Sequence, residues 1–166
     1  NSLIILKDLE LNLESINKAN RIVLKVGSSL IVNPNTGYIN NSWVENLAQD
    51  ILFLLSKNKE ILIVSSGAVA LGKTELNLQN KSLKLSEKQA AAAAGQIVLA
   101  KSWKNVFEKN QVKCGQILVS HNDLETRRNA MNTKTTLNTL LKLKVIPIIN
   151  ESDTVATLEI RYGDND

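Results

Sequence analysis

The sequence has few of the residue types on which disulfide-bonded, zinc-binding and nucleic-acid-binding proteins depend. Cys114 is the one cysteine and His121 the one histidine among 166 residues. A single cysteine cannot form an internal disulfide, which favours a reducing, cytoplasmic compartment, and a solitary histidine suggests no metal site. Aromatic residues make up only 4% of the chain, and lysine and arginine are scattered. Neither a base-stacking platform nor a basic nucleic-acid surface is therefore expected.

Long apolar runs and several familiar signatures are also missing. No window is long and apolar enough to cross a membrane, and the first 20 residues do not resemble a signal peptide. We interpret residues 1–20 as an N-terminal extension in which Leu6, Leu9, Leu13 and Ile16 form one face of a packed helix. A partly ordered tail is the alternative. The sequence contains no Walker A loop, no G-x-G-x-x-G and no arrangement that suggests a serine–histidine–acid triad.

Short apolar runs alternate with helical patterns from residue 21 onward. Four runs predict β-strands, namely Ile22–Val26, Ile61–Val64, Gln116–Val119 and Val145–Ile149. Cys114 precedes the third strand and is interpreted as a small buried hydrophobe rather than a nucleophile. Pro147 argues against a central, fully bonded position for the fourth strand. The alternation predicts a three-layer α/β/α sandwich with a mostly parallel sheet over residues 21–166.

Three helices are predicted between these strands. Ser42 with Glu45, and Ser86 with Gln89, have the spacing of capping boxes and predict two helix starts. The pattern of residues 127–143 predicts the third helix.

Polar residues follow each of the four predicted strands. They occupy residues 27–29, 65–68, 120–123 and 150–153. In a parallel sheet the carboxyl ends of the strands share one edge, and ligands bind there. The sequence therefore predicts a composite site at that edge.

The composition of these strand ends indicates the chemistry. Glycine and serine after the first strand, with Lys25 just before them, suit a phosphate group; a solvated lysine is the alternative. Glu151, Asp153, Asp164 and Asp166 are acidic residues that suggest a site for a metal or an amino group; a solvated acidic loop is the alternative. Together they suit phosphoryl transfer to an acidic acceptor.

Five segments together resemble the glutamate 5-kinases of the amino acid kinase superfamily. They appear in the same order along residues 21–166, and their sequences are VLKVGSS, IVSSGAVALG, QAAAAAGQ, INESD and GDND. The first is common to many carboxylate and carbamate kinases, whereas the last two are more particular to the glutamate enzymes. The resemblance implies ATP-dependent phosphorylation of the γ-carboxylate of L-glutamate, the first step toward proline, with Mg²⁺.

The resemblance also implies roles for residues on the phosphate side. Lys25 would stabilise the transferring phosphoryl group, and Gly27 and Ser28 would lie beside the phosphates of ATP. Asp166 would orient a catalytic lysine. No protein ligand to the metal is assigned.

On the acceptor side, the resemblance implies that Ser66, Asp153 and Asn165 hold glutamate and that Asp164 supports their pocket. Glutamate and ATP are the expected partners, and a homo-oligomer is expected.

The sequence ends at Asp166, where this family continues with most of the adenosine site and a second catalytic lysine. We therefore expect residues 21–166 to be the N-terminal, acceptor-substrate portion of a kinase domain whose C-terminal part is missing. A truncated, non-catalytic amino-acid-binding module and a related carboxylate kinase are the alternatives.

Overall fold

The computed structural model describes residues 16–79, 81–120 and 126–152. Within these ranges the strands are β1 (Arg21–Val26), β2 (Glu60–Ser65), β3 (Lys113–Val119) and β4 (Val145–Glu151). The helices are α1 (Ser28–Ile31), α2 (Asn41–Ser56), α3 (Ala68–Glu75), α4 (Leu85–Glu108) and α5 (Arg127–Lys142). All four predicted strands and all three predicted helices are present; α1 and α3 were not predicted.

The four strands form one parallel sheet in the order β1-β2-β4-β3. β1 pairs with β2 from Arg21 opposite Glu60 to Val26 opposite Ser65. β3 pairs with β4 along their whole length, ending with Val119 opposite Glu151. Because every pairing is parallel, all four carboxyl ends lie at the same edge, as predicted.

Pro147 lies in a central strand, contrary to the expectation from its chemistry. β4 runs between β2 and β3, and Pro147 is fully buried. Proline has no N–H to donate, and the pairing between β4 and β2 does not require one there. The two strands pair only at Ile148 and Ile149, directly after the proline. The ladder with β3 continues through Pro147, which lies opposite Gly115. The strand is therefore central but not fully bonded.

Helices cover both faces of the sheet. The main core joins α2, α3 and α4 to one face, and Trp103 and Phe107 of α4 stack at its centre with ring centroids 5.9 Å apart. Cys114 packs against this core. Gly115 points to the opposite face, where a Cβ would lie 3.3 Å from the Leu140 side chain of α5. The three-layer α/β/α architecture is confirmed.

Two glycines allow α3 and α4 to pack unusually closely. A Cβ on Gly72 would overlap the carbonyl oxygen of Ala91, and a Cβ on Gly95 would overlap that of Ala68. These overlaps involve backbone atoms, which cannot move aside as a side chain can. The contact fixes the position of α3, which begins three residues after the end of β2.

The predicted N-cap of α2, Ser42, lies two residues after the observed one, Asn40. The helix begins at Asn41, so Ser42 lies inside the first turn, where its Oγ donates to Asn40 Oδ1 across 3.1 Å. Glu45 forms an ion pair with Lys109 of α4 at 2.9 Å. Capping-box spacing alone did not distinguish a cap from a first-turn residue.

The predicted N-cap of α4, Ser86, also lies two residues after the observed one, Lys84. The helix begins at Leu85, and the backbone N–H of Lys84 donates to Glu87 Oε2 across 2.8 Å. Glu87, rather than Gln89, therefore satisfies a backbone donor at this helix end. Ser86 lies within the first turn.

The proposed helix through Leu6, Leu9 and Leu13 lies outside the described residues. The boundary between residues 1–20 and 21–166 stays a prediction. No helix in the described part of the chain is long and apolar enough to cross a bilayer.

Candidate functional site

Two backbone hydrogen bonds show how the strand ends meet at the carboxyl edge of the sheet. The N–H of Ser66, just past β2, donates to the carbonyl of Val26 at the end of β1, across 2.9 Å. The N–H of Ser152, just past β4, donates to the carbonyl of Val119 at the end of β3, across 2.8 Å. The loops after β1 and β2 are therefore neighbours, and so are the loops after β3 and β4.

The loop after β1 leaves space beside its backbone. Gly27 precedes α1, and a Cβ added to it would meet only Ser29 Oγ, at 4.0 Å. The N–H groups of Leu30 and Ile31 donate to the Gly27 carbonyl at 3.1 and 3.4 Å, whereas those of Ser28 and Ser29, at the start of α1, have no acceptor within the helix. Lys25 is exposed and lies two residues before Gly27 on β1. An open glycine, backbone donors and a lysine suit the binding of an anion.

The loop after β2 depends on a left-handed glycine. Gly67 has φ +114° and immediately precedes α3. A Cβ there would lie 3.0 Å from Ile31 Cγ2 and 3.8 Å from Ser28 Cα, so the two loops are in close contact. This packing brings Ser66 to the same place as Gly27 and Ser28. The structure thus brings together the four predicted site residues that it describes: Lys25, Gly27, Ser28 and Ser66.

Two side-chain hydrogen bonds that the sequence did not predict fix these strand ends to α4. Asn150, near the end of β4, donates from Nδ2 to Gln96 Oε1 across 2.6 Å. Trp103 donates from Nε1 to Oγ of Ser65, the last residue of β2, across 3.0 Å. Asn150 and Ser65 are both buried, at 8% and 1% exposure. The only sequence signal was the presence of Asn150 and Gln96 in the motifs INESD and QAAAAAGQ.

The other predicted site residues lie outside the described residues. These are Asp153, Asp164, Asn165 and Asp166, and their proposed roles stay predictions. Glu151 is described and lies at the edge, half-buried, opposite Val119. Among residues 16–79, 81–120 and 126–152, no three cysteine, histidine or acidic side chains come together as a metal site.

Cys114 lies apart from this edge. It is the second residue of β3, near the amino end, and packs half-buried against the main core. Burial raises the pKa of its thiol, so the protonated form is favoured. This environment agrees with the interpretation of Cys114 as a small hydrophobe. His121 lies outside the described residues.

The fold defines an open parallel α/β protein, and its candidate site lies at the carboxyl edge of the sheet, where ligands bind in such folds. Sequence comparison gives the family. The profile described as "Amino acid kinase family" matches residues 20–166, and the chain belongs to that family.

Curated relatives carry a more specific name. Proteins named glutamate 5-kinase from Brucella ovis, Brucella canis and Brucella suis are each 58% identical to the chain over 146 residues. Each match covers 88% of this chain and 38% of the relative. The chain therefore spans less than half the length of these relatives.

Proposed function

We propose that the complete protein containing this chain phosphorylates the γ-carboxylate of L-glutamate with ATP, the first step toward proline. The observation that carries the proposal is the hydrogen bond between Ser66 N–H and the Val26 carbonyl, at 2.9 Å. It holds the loop after β1, which we propose binds the phosphates, beside the loop after β2, which we propose binds glutamate. The name glutamate 5-kinase of the Brucella relatives supports the choice of glutamate.

The phosphate side of the reaction is assigned to Lys25, Gly27 and Ser28. The open space beside Gly27 fits a phosphate oxygen, because a Cβ there would meet nothing closer than 4.0 Å. The backbone N–H groups at the start of α1 donate to that oxygen. The ammonium of Lys25 attracts the charge that spreads over the phosphoryl oxygens during transfer.

The acceptor side is assigned to Ser66, Asp153 and Asn165, with Asp164 supporting their pocket. Ser66 and Asn165 offer neutral hydrogen bonds, and the carboxylate of Asp153 pairs with the ammonium of glutamate. Asp153 directly follows Ser152, whose N–H donates to the Val119 carbonyl across 2.8 Å. This hydrogen bond holds Ser152, the residue before Asp153, at the carboxyl edge of the sheet, the edge to which Ser66 also belongs.

The reaction forms one bond and breaks one. A γ-carboxylate oxygen of glutamate bonds to the terminal phosphorus, and the bond from that phosphorus to the bridging oxygen of ATP breaks, giving glutamyl 5-phosphate and ADP. Mg²⁺, when bound with the nucleotide, neutralises phosphate charge. The residues of this chain hold the two reactants in line, and Asp166 orients a lysine toward the reacting centre. Positioning and charge neutralisation are the main needs of phosphoryl transfer.

The test is an assay of the purified complete protein with ATP, Mg²⁺ and one carboxylic acid at a time. Acyl phosphates are trapped with hydroxylamine as hydroxamates, and ADP is measured in parallel. We expect hydroxamate and ADP in equal amounts with glutamate, and far less with aspartate or N-acetylglutamate. If another carboxylate is turned over as fast as glutamate or faster, that carboxylate and not glutamate is the substrate. ADP release without hydroxamate would refute phosphorylation of a carboxylate.

A further inference from the structure

The parallel sheet divides between β2 and β4 at its carboxyl edge. The pairing between these two strands ends with Val64 opposite Ile149. β2 stays paired with β1 for one more residue, to Ser65, and β4 stays paired with β3 for two more residues, to Glu151. The loops after β2 and β4 therefore start from two separate halves of the sheet.

Ser65 and Asn150 occupy the next register position on the two sides of this division. Both side chains point to the face that α4 covers, and each forms a hydrogen bond with that helix. Trp103 donates from Nε1 to Ser65 Oγ across 3.0 Å, and Asn150 donates from Nδ2 to Gln96 Oε1 across 2.6 Å. At the point where the pairing between the strands ends, side chains of a single helix thus hold both strand ends.

The turn of α4 that carries Gln96 also contacts the start of α3. Gly95 packs so closely on α3 that a Cβ there would overlap the carbonyl oxygen of Ala68. Ala68 is the first residue of α3 and lies two residues after Ser66. Adjacent residues of α4 are therefore held to the end of β4 and to the helix that follows the loop after β2. This arrangement sets the separation of the two strand ends.

Stability alone does not account for the polar pair of Asn150 and Gln96. Asn150 is 8% exposed, and its neighbours on the same face of β4, Ile146 and Ile148, belong to the apolar core. Replacing both members of a buried hydrogen-bonded pair by apolar groups of the same shape can be nearly neutral or stabilising. A hydrogen bond differs from an apolar contact because it fixes a distance and a direction. The pair is therefore suited to setting a position.

We propose that Gln96 is a positioning residue for the carboxylate acceptor, because its hydrogen bond with Asn150 sets the separation between the end of β4 and the loop after β2. This inference rests on the proposed function, in which the loop after β2 binds glutamate through Ser66. Gln96 acts through Asn150 and does not contact the substrate. The separation matters for glutamate and much less for ATP, since the loop after β1, assigned to the phosphates, lies on the other side of β2.

Steady-state kinetics of Gln96→Leu in the complete protein test this proposal. The substitution removes the acceptor of the hydrogen bond. We expect the KM for glutamate to rise about tenfold, as for the loss of one hydrogen bond of ordinary strength. The KM for ATP and the kcat of the folded enzyme should change little. A purely structural role would lower stability and the amount of active enzyme without a selective change in the KM for glutamate, and that result would overturn the proposal.

Asn110→Leu is the matched control. Asn110 donates from Nδ2 to the Val106 carbonyl across 3.0 Å, and it lies between the end of α4 and the start of β3, away from the carboxyl edge. The substitution therefore removes a hydrogen bond of the same kind from the other end of the helix. Both KM values should stay unchanged. If Asn110→Leu raises the KM for glutamate as much as Gln96→Leu does, the effect is not one of position and the proposal fails.

The double variant Asn150→Leu with Gln96→Leu separates position from stability. It leaves no unpaired donor, so it should fold and should be closer in stability to the unmodified protein than Gln96→Leu is. Its KM for glutamate should still be raised, and should equal that of Asn150→Leu alone, because Gln96 acts through Asn150. An unmodified KM in the double variant would overturn the proposal. A KM well above that of Asn150→Leu would also overturn it, since Gln96 would then contact the substrate itself.

The unmodified protein distinguishes a failure of this inference from a failure of the proposed function. If it phosphorylates glutamate and the KM for glutamate is the same in Gln96→Leu, only the positioning role is refuted. If it phosphorylates a different carboxylate, the KM for that acceptor takes the place of the KM for glutamate in every comparison. If it phosphorylates no carboxylate, the proposed function and the positioning role are both refuted.

Discussion

The side-chain amide of Asn150 donates a hydrogen bond to Gln96 Oε1 across 2.6 Å, which joins the carboxyl end of β4 to α4. Asn150 is only 8% exposed, so its amide has little access to water. Gln96→Leu removes the acceptor and leaves that donor unpaired. An unsatisfied buried donor costs about 1–3 kcal/mol, and we expect the free energy of unfolding to fall by this amount.

Urea unfolding of the complete protein measures this loss. Gln49→Leu is the matched control because Gln49 is exposed on α2, and it should change stability by no more than about 0.5 kcal/mol. If Gln96→Leu is no more destabilising than Gln49→Leu, the hydrogen bond contributes nothing to stability.

The strands and their common edge were predictable from the sequence because the signal is local. Runs such as Ile61–Val64 are apolar without interruption, which in a short segment is typical of a strand buried on both faces. Parallel pairing followed from the helical patterns between the strands. The edge at which Ser66 meets Val26 was a consequence of that pairing.

The contacts made by single side chains were not predictable. Asn150 and Gln96 are 54 residues apart in sequence, and neither carries a pattern that specifies the other. Both capping boxes were misassigned because the spacing of a serine and a glutamate or glutamine does not distinguish an N-cap from a residue in the first turn. The predicted roles of Asp153 and of residues 164–166 came from family resemblance and lie beyond the described residues.

The buried hydrogen bond from Trp103 Nε1 to Ser65 Oγ predicts a second effect on stability. Ser65→Ala leaves the indole N–H without an acceptor at a position where both side chains are at most 1% exposed. We expect a loss of about 1–3 kcal/mol in the free energy of unfolding. Ser82→Ala, at an exposed loop residue, is the control and should be nearly neutral. Equal effects of the two substitutions would contradict the assigned contact.

Gly72→Ala should have two opposite effects on stability, one from helix propensity and one from packing. In an isolated helix the change would stabilise by about 1 kcal/mol, since alanine is the better helix former. In this protein the new Cβ would overlap the Ala91 carbonyl, so α3 and α4 must separate. We expect net destabilisation of about 1–3 kcal/mol or more, measured by thermal and urea unfolding.

Gly115→Ala is the comparison for this prediction. Its Cβ would meet only the end of the flexible Leu140 side chain, at 3.3 Å, and a smaller loss is expected. Stabilisation by Gly72→Ala would show that the two helices are not in close contact.

Asp153→Asn tests the acceptor side of the proposed site. The substitution removes the charge and keeps the size, so it weakens a charge-assisted hydrogen bond to the ammonium of glutamate. Such a bond contributes about 1.5–3 kcal/mol, which corresponds to about a tenfold to hundredfold loss of affinity. Calorimetric titration of glutamate into the complete protein measures the loss. Asp50→Asn, on the exposed side of α2, should leave affinity unchanged. Undiminished affinity in Asp153→Asn would remove this residue from the site.

The central claim is that the loop after β1 acts on the phosphoryl group while that group is transferred, and Lys25→Met tests it most directly. A cation beside the migrating group contributes most as charge redistributes in the transition state, so kcat should fall by about a hundredfold or more. The KM for glutamate should change little. Lys101→Met, at an exposed lysine of α4, should alter neither constant. Steady-state kinetics of the complete protein decide the question: a raised KM for glutamate with unchanged kcat in Lys25→Met would contradict the account.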